Sequence, residues 1–289
     1  MKTIFICILS WVFLVFAPPA RSNEVLFYQP LNVDSALTLK EWNTIWKESR
    51  HHGAQKIIVQ WTRHGQSDFA GADGWLIHAL RAAHAQGLEL ILGLSYDPDY
   101  YQHLRDATVI PYHWHQWLAH SLQQQQWLLK NADVPISGWY IPMELDDANY
   151  ASPVLQKEIS HQLAVFASHA TQPLHISAFS AGKLSPKVYA AWLDALHNVA
   201  QVWWQDGAGT GSMHATVRAA YESALPCKIG IVREAFRAIN LPEAAFRAES
   251  AQPHIDPTSC HAQAIFSLRY LPWAKVLLQN QRAAEAAAQ

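Results

Sequence analysis

The sequence predicts an α/β protein of the (β/α)8 barrel class, and three observations carry that reading. Short, charge-poor apolar runs alternate with longer helical patterns along the chain, and eight such pairs can be counted. Eight βα units in about 250 residues have the size and rhythm of a closed barrel. No Pro/Gly/Ser-rich linker divides the chain, and no glycine-rich phosphate loop follows the first run. The last point weighs against the alternatives, a doubly wound open sheet or two smaller α/β lobes.

The elements follow in order. Residues 1–22 read as a signal peptide, leaving 23–289 as a single barrel domain. Lys2 supplies the positive start, Ile4 to Ala17 the apolar run, and Ala20-Arg21-Ser22 the small-x-small cleavage pattern. The run is too short for a bilayer, which needs about 20 residues, so no stable membrane insertion is expected after cleavage. A periplasmic or secreted location follows. The eight strand candidates are Val25–Leu31, Lys56–Thr62, Leu88–Tyr96, Ile136–Leu145, Pro173–Ser180, Ala200–Asp206, Cys227–Phe236 and Ala262–Leu271. Thr38 with Glu41 makes a capping box for the first helix, and Gly53 closes it. Asp73 caps a helix running to Gly87. Ser152-Pro153 and Ser185-Pro186 each place a cap residue before a proline at the first helical position. The helix after the seventh strand, within Asn240 to Ser259, is expected to be short or irregular.

Composition narrows the function. Half the residues are apolar, which excludes a disordered chain. A formal charge of −2 without clustered basic runs argues against nucleic-acid binding. Thirteen tryptophans are the oddity. Trp42, Trp46, Trp75, Trp114, Trp117, Trp127 and Trp192 fall in helix candidates and read as packing residues, and Trp139 reads as lying under a helix. With Cys7 in the leader, Cys227 and Cys260 remain, and an oxidising compartment favours one disulfide between them. Cys227 opens strand seven and Cys260 sits just before strand eight, so the bridge would lie at the end of the barrel away from the chemistry.

In a barrel the chemistry sits at the C-terminal rim, so the last residues of each strand carry the information. Strand four ends on Glu144 and strand seven on Glu234. Gly230 and Val232 share the parity of Glu234, and Tyr140 and Pro142 that of Glu144, which points both acids inward. Two carboxyls facing each other across a mouth are what glycoside hydrolysis needs: one protonates the leaving oxygen, the other attacks the sugar or activates water. Gln29, Gln60, Trp61, Arg63, Tyr96, Tyr140, Trp204, Asp206 and Arg269 are the expected substrate-binding residues, with Trp61 and Trp204 as stacking faces for sugar C–H groups. The 16 histidines show no metal-ligand spacing, and His113 and His115 point to divergent faces. Neither a metal nor a cofactor is therefore expected. The spacing leaves the oligomeric state open.

Three segments add a resemblance: Phe27-Tyr28-Gln29-Pro30, Ile58-Val59-Gln60-Trp61-Thr62 and Gly138-Trp139-Tyr140-Ile141-Pro142-Met143-Glu144. They resemble an uncharacterised bacterial family of glycosidase-like TIM barrels, known as a domain of unknown function. The placement of Glu144 and Glu234 is similar to that of the retaining glycosidase clan. The resemblance implies an exported enzyme acting on a poly- or oligosaccharide, with Glu144 as acid/base and Glu234 as nucleophile. Met143 stands where that clan has an asparagine that binds the 2-hydroxyl. That departure leaves a second expectation beside the first, a non-catalytic glycan-binding barrel serving exopolysaccharide assembly or export.

Overall fold

The computed structural model describes residues 25–72, 74–239 and 246–287. The expected leader and the expected Asp73 cap lie outside these residues. Eight strands close into a parallel barrel: β1 (Val25–Tyr28), β2 (Lys56–Val59), β3 (Glu89–Gly93), β4 (Gly138–Asp146), β5 (Leu174–Phe179), β6 (Gln201–Gln205), β7 (Gly230–Glu234) and β8 (Gln263–Phe266). They follow one another around the ring in chain order. The last pairs with the first through Val25 opposite Ala264 and Leu26 opposite Ile265.

Among the described residues seven helices cover the strands: α1 (Leu39–His51), α2 (Trp75–Ala85), α3 (Ile110–Asn131), α4 (Pro153–Ser168), α5 (Pro186–Leu196), α6 (Ala215–Ala224) and α7 (Lys275–Ala287). The Thr38–Glu41 capping box forms as expected, and Gly53 follows α1 with φ +97°, the left-handed conformation glycine adopts without strain. Ser152 and Ser185 occupy cap positions ahead of their prolines, but neither side chain makes the capping hydrogen bond. Between β7 and β8 the described residues hold no helix. A two-stranded antiparallel ribbon, Phe236–Ala238 with Ala248–Ser250, takes its place.

Alternation along the strands separates two cores. Val25, Phe27, Ile58, Ile91, Tyr140, Trp203, Val232 and Ala264 fill the barrel interior. Their opposite-parity neighbours, including Tyr28, Ile57, Trp139 and Trp204, pack beneath the helices. Gly230 is the space that admits Trp203, since a Cβ there would lie 2.3 Å from the indole. Trp42, Trp46, Trp114 and Trp192 are buried under the helices, as the sequence suggests.

Beyond Phe266 the eighth strand gives way to two short 3-10 turns, Leu268–Tyr270 and Pro272–Ala274. Arg269 lies in the first turn and not on the strand. Its Nη2 reaches Asp34 Oδ2 at 2.9 Å, while Tyr28 Oη and the Leu31 amide donate to the same carboxylate at 2.9 and 3.0 Å. This buried pair locks the last βα unit to the first.

Cys227 and Cys260 form a disulfide with Cα atoms 5.3 Å apart and a sequence separation of 33. They precede β7 and β8, so the bridge ties neighbouring strands at the N-terminal end of the barrel. Closing a loop of that length is worth about 3–4 kcal/mol in the chain-entropy view. The double variant Cys227→Ala/Cys260→Ala should unfold in urea at a clearly lower midpoint. An unchanged midpoint would show that the bridge contributes no stability. Among the described residues no helix is long and apolar enough to cross a membrane. The disulfide fits a secreted or periplasmic protein.

Candidate active site

The C-terminal mouth of the barrel is built from the inward-facing residues that end each strand. On β4 the pairing with β5 shifts between Ile141 and Leu145, so four residues of β4 span two of β5. An even excess preserves alternation, and Glu144 keeps the inward side set by Tyr140. Its Oε1 accepts a hydrogen bond from Gln205 Nε2 at 2.7 Å, and its Oε2 accepts one from the Tyr101 hydroxyl at 2.8 Å. The main chain at this point is also held. Trp114 Nε1 donates to Tyr150 Oη at 2.8 Å, the Tyr150 and Tyr100 hydroxyls meet at 2.8 Å, and Tyr100 Oη donates to the Glu144 carbonyl at 2.6 Å. Burial raises the pKa of Glu144, and the bonds from Tyr101 and Gln205 oppose that rise.

Glu234 ends β7 three strands further round. It is 6% exposed, and its Oε2 accepts the amides of Gly209 and Thr210 at 2.6 and 3.2 Å. A Cβ on Gly209 would stand 2.4 Å from the Phe236 carbonyl, so glycine is what lets this loop descend onto the carboxylate. Burial first, and then the charge of Asp206, push the pKa of Glu234 up to about 7. The two amides pull the other way. The charge of Glu144 adds a smaller contribution to the rise.

Gln29 and Gln60, one past the ends of β1 and β2, continue the inward sides of Phe27 and Ile58. Gln60 Oε1 is buried without a hydrogen-bond partner. On the rim, Arg63–His64 pair with both Ser67–Asp68 and Ser95–Tyr96 in a small three-stranded sheet. It stacks Tyr96 on Trp61, with ring centroids 5.0 Å apart. Arg63 stands exposed there, bound to Asp68 at 2.5 Å.

Five of the expected substrate contacts need correction. Trp204 is fully buried on the helix side, where Nε1 donates to Ser180 Oγ, so it offers no face to a sugar. Trp203, its neighbour of opposite parity, points into the barrel. Asp206 shares the outward side and faces Arg233 at 3.6 Å, in a network that also holds Glu222. Arg269, at 1% exposure, is consumed by Asp34. Tyr140 fills the interior below the mouth and donates to Ser177 Oγ at 2.9 Å. Trp61 is buried too, with Nε1 donating to the Pro30 carbonyl and Tyr96 over its ring, so Tyr96 and His64 are the half-exposed rings at that edge.

Two residues were missing from the expected set. Gln205 lies between Trp204 and Asp206, and the correct parity of β6 would have selected it. Tyr101 sits on a one-turn helix, Tyr100–His103, in the loop after β3, where no periodic pattern announces it.

The family model described as Domain of unknown function (DUF4434) matches residues 26–248. The chain is 30% identical over 294 residues to Uncharacterized protein YbcH of Escherichia coli (strain K12), covering 95% of this chain and 99% of that protein. Among solved structures, a candidate alpha-L-fucosidase from Bacteroides thetaiotaomicron VPI-5482 superposes with a TM-score of 0.60 at 13% identity, over 98% of each chain. The catalytic domain of a beta-amylase from Paenibacillus polymyxa has a TM-score of 0.49 at 8% identity, over 92% of this chain and 98% of that one. At such identities the likeness is one of fold. The match over residues 26–248 shows that the chain, a closed eight-stranded (β/α)8 barrel, belongs to the DUF4434 family.

Proposed function

We propose that this protein is an exported glycoside hydrolase acting on a poly- or oligosaccharide through Glu144 and Glu234. The observation that carries the reading is the pair itself: two inward carboxyls on strands four and seven, each raised in pKa by burial and each held by donors that fix its direction. A raised pKa suits a group that must carry a proton to a leaving oxygen near neutrality. Glu144 is the half-exposed member, bonded to a tyrosine hydroxyl and a side-chain amide, and takes the acid/base role. Glu234, immobilised by two main-chain amides, takes the nucleophile role. Attack by its carboxylate at the anomeric carbon breaks the glycosidic bond while Glu144 protonates the departing oxygen. Water, deprotonated by Glu144, then releases the sugar with its configuration retained.

The half-exposed Tyr96, His64 and Tyr101 give the mouth an aromatic edge suited to sugar C–H faces, with the Gln60 acceptor below for a hydroxyl. The signal peptide expected at 1–22 and the Cys227–Cys260 bridge both support export, to the periplasm or beyond.

The test is incubation with bacterial surface polysaccharides, with released sugars followed by NMR. Retention of anomeric configuration in the first-formed product is expected; inversion would remove Glu234 from the nucleophile role. The pH dependence has a definite sign. Glu234 must be ionised to attack, and its pKa is raised to about 7. On the acid side kcat/KM should therefore fall as pH drops through 7, by roughly tenfold per unit below it. A rate constant down to pH 5 would contradict this assignment.

The second reading, a glycan-binding barrel without turnover, is favoured by the enclosure of Glu234 beneath the Gly209–Thr210 amides. Tight glycan binding that releases no product, and that survives Glu144→Gln, would establish it.

A further inference from the structure

Away from the two carboxyls, the loop after β3 gathers three side chains that the proposed chemistry does not use. Asp97 follows Tyr96 directly, His103 ends the one-turn helix, and His113 lies in the first turns of α3. Asp97 Oδ2 is 2.9 Å from His103 Nδ1 and 3.1 Å from His113 Nε2, and all three ligand-type atoms lie within 4.8 Å of one another. The His103 contact has the geometry of a hydrogen bond. The His113 contact does not. The His113 side chain is 5% exposed, yet its Nε2 is buried with no hydrogen-bond partner, although a carboxylate oxygen stands 3.1 Å away.

A ring nitrogen that close to an oxygen but not aimed at it is what two ligands of one cation look like. Each lone pair is directed at a shared centre, and the nitrogen and oxygen are neighbours only across that centre. Zinc bonds of about 2.0–2.2 Å put neighbouring ligand atoms roughly 3 to 3.5 Å apart, so two of the three separations need little change. The third closes by a small movement of His103, whose side chain is half exposed on a single turn of helix. The two imidazole rings already lie 4.3 Å apart, centroid to centroid. Two imidazoles and a carboxylate form a donor set that suits zinc, with a remaining position for water.

We propose that Asp97, His103 and His113 form a binding site for one zinc ion. The site lies two residues from Tyr101, which donates to Glu144, so the bound ion would pin that tyrosine's helix to α3. Sequence spacing conceals it, because the histidines are ten residues apart on different elements and His115, the near neighbour of His113, faces away.

Full-length processed protein, stripped with a chelator, is titrated with zinc chloride against a chromophoric competitor, and cobalt(II) is substituted to read the ligand field. One ion per chain is expected, with a cobalt spectrum of low coordination number. His103→Ala and Asp97→Asn should each weaken zinc binding by roughly 100-fold or more. Both are chosen to keep the fold: His103 is half exposed, and asparagine keeps the Oδ1 that accepts the Asp99 amide. Circular dichroism confirms folding, and the exposed His115→Ala should bind zinc as the parent does. Binding that is absent from the parent, or equal in parent, His103→Ala and Asp97→Asn, overturns the proposal. The readout is metal occupancy, so its failure would leave the assignment of Glu144 and Glu234 untouched.

Discussion

Glu144→Gln is expected to lower kcat by about 10²–10⁴-fold or more on a natural polysaccharide while leaving the unfolding midpoint nearly unchanged. The substitution keeps size and shape. Glutamine Oε1 still accepts from Gln205, and its amide nitrogen can donate to the Tyr101 oxygen, so both contacts of the native side chain have a counterpart. What disappears is the transferable proton. The prediction therefore has a chemical signature. An aryl glycoside, whose leaving group departs without protonation, should recover much of its first step in Glu144→Gln, and added azide should then accept the glycosyl group. Glu234→Gln should recover nothing on the same substrate, because no carboxylate remains to attack. Full activity of both variants on a substrate that the parent cleaves would end the two-carboxylate proposal.

The largest effect on stability is expected at the seam between the first and last units. Arg269→Met should cost about 3–5 kcal/mol, read as a lower urea midpoint. Asp34 is wholly buried, and without the guanidinium its charge would rest on the Tyr28 hydroxyl and the Leu31 amide alone. Arg269 also donates to the carbonyls of Gln29 and Leu277, and its loss removes those two hydrogen bonds as well. Asp34→Asn should be harmful by the same logic, with an unpaired guanidinium left in the interior. The double variant separates pairing from packing. If the pair is the cause, Asp34→Asn/Arg269→Met should lose clearly less than the sum of the two single changes. A loss equal to that sum would show that the two side chains act independently.

The barrel was legible because its evidence is repeated eight times, and no single misplaced boundary disturbs it. The carboxyls were legible for a related reason: strand ends map directly onto the catalytic rim, and Gly230 and Val232 set the parity of Glu234. Strand six shows where that logic fails. Its run Trp203-Trp204-Gln205-Asp206 is amphiphilic on both sides, and a slip of one residue exchanges every inward group for an outward one. The tryptophan chosen for stacking thus packs under helices, and the acid chosen for substrate pairs with Arg233, while Gln205 was overlooked. Arg269 failed differently. The strand was extended through a turn, and an arginine near a rim resembles a substrate ligand until its partner, 235 residues away, is known. Tyr101, His103 and His113 belong to a loop and a helix start, whose juxtaposition is a tertiary fact with no local pattern.

The seam has a kinetic meaning as well as an energetic one. β1 finds one of its two neighbours within the next βα unit, but the other, β8, is synthesised last among the strands. Until β8 is present, β1 carries an open edge, and Asp34 beside it lacks its cation. An open parallel edge next to an uncompensated charge favours neither premature closure nor a stable partial barrel. Under the proposed export, a chain threaded amino end first through a membrane pore would thus remain pliable during passage. It would commit to its final shape only when the closing strand and Arg269 emerge on the far side.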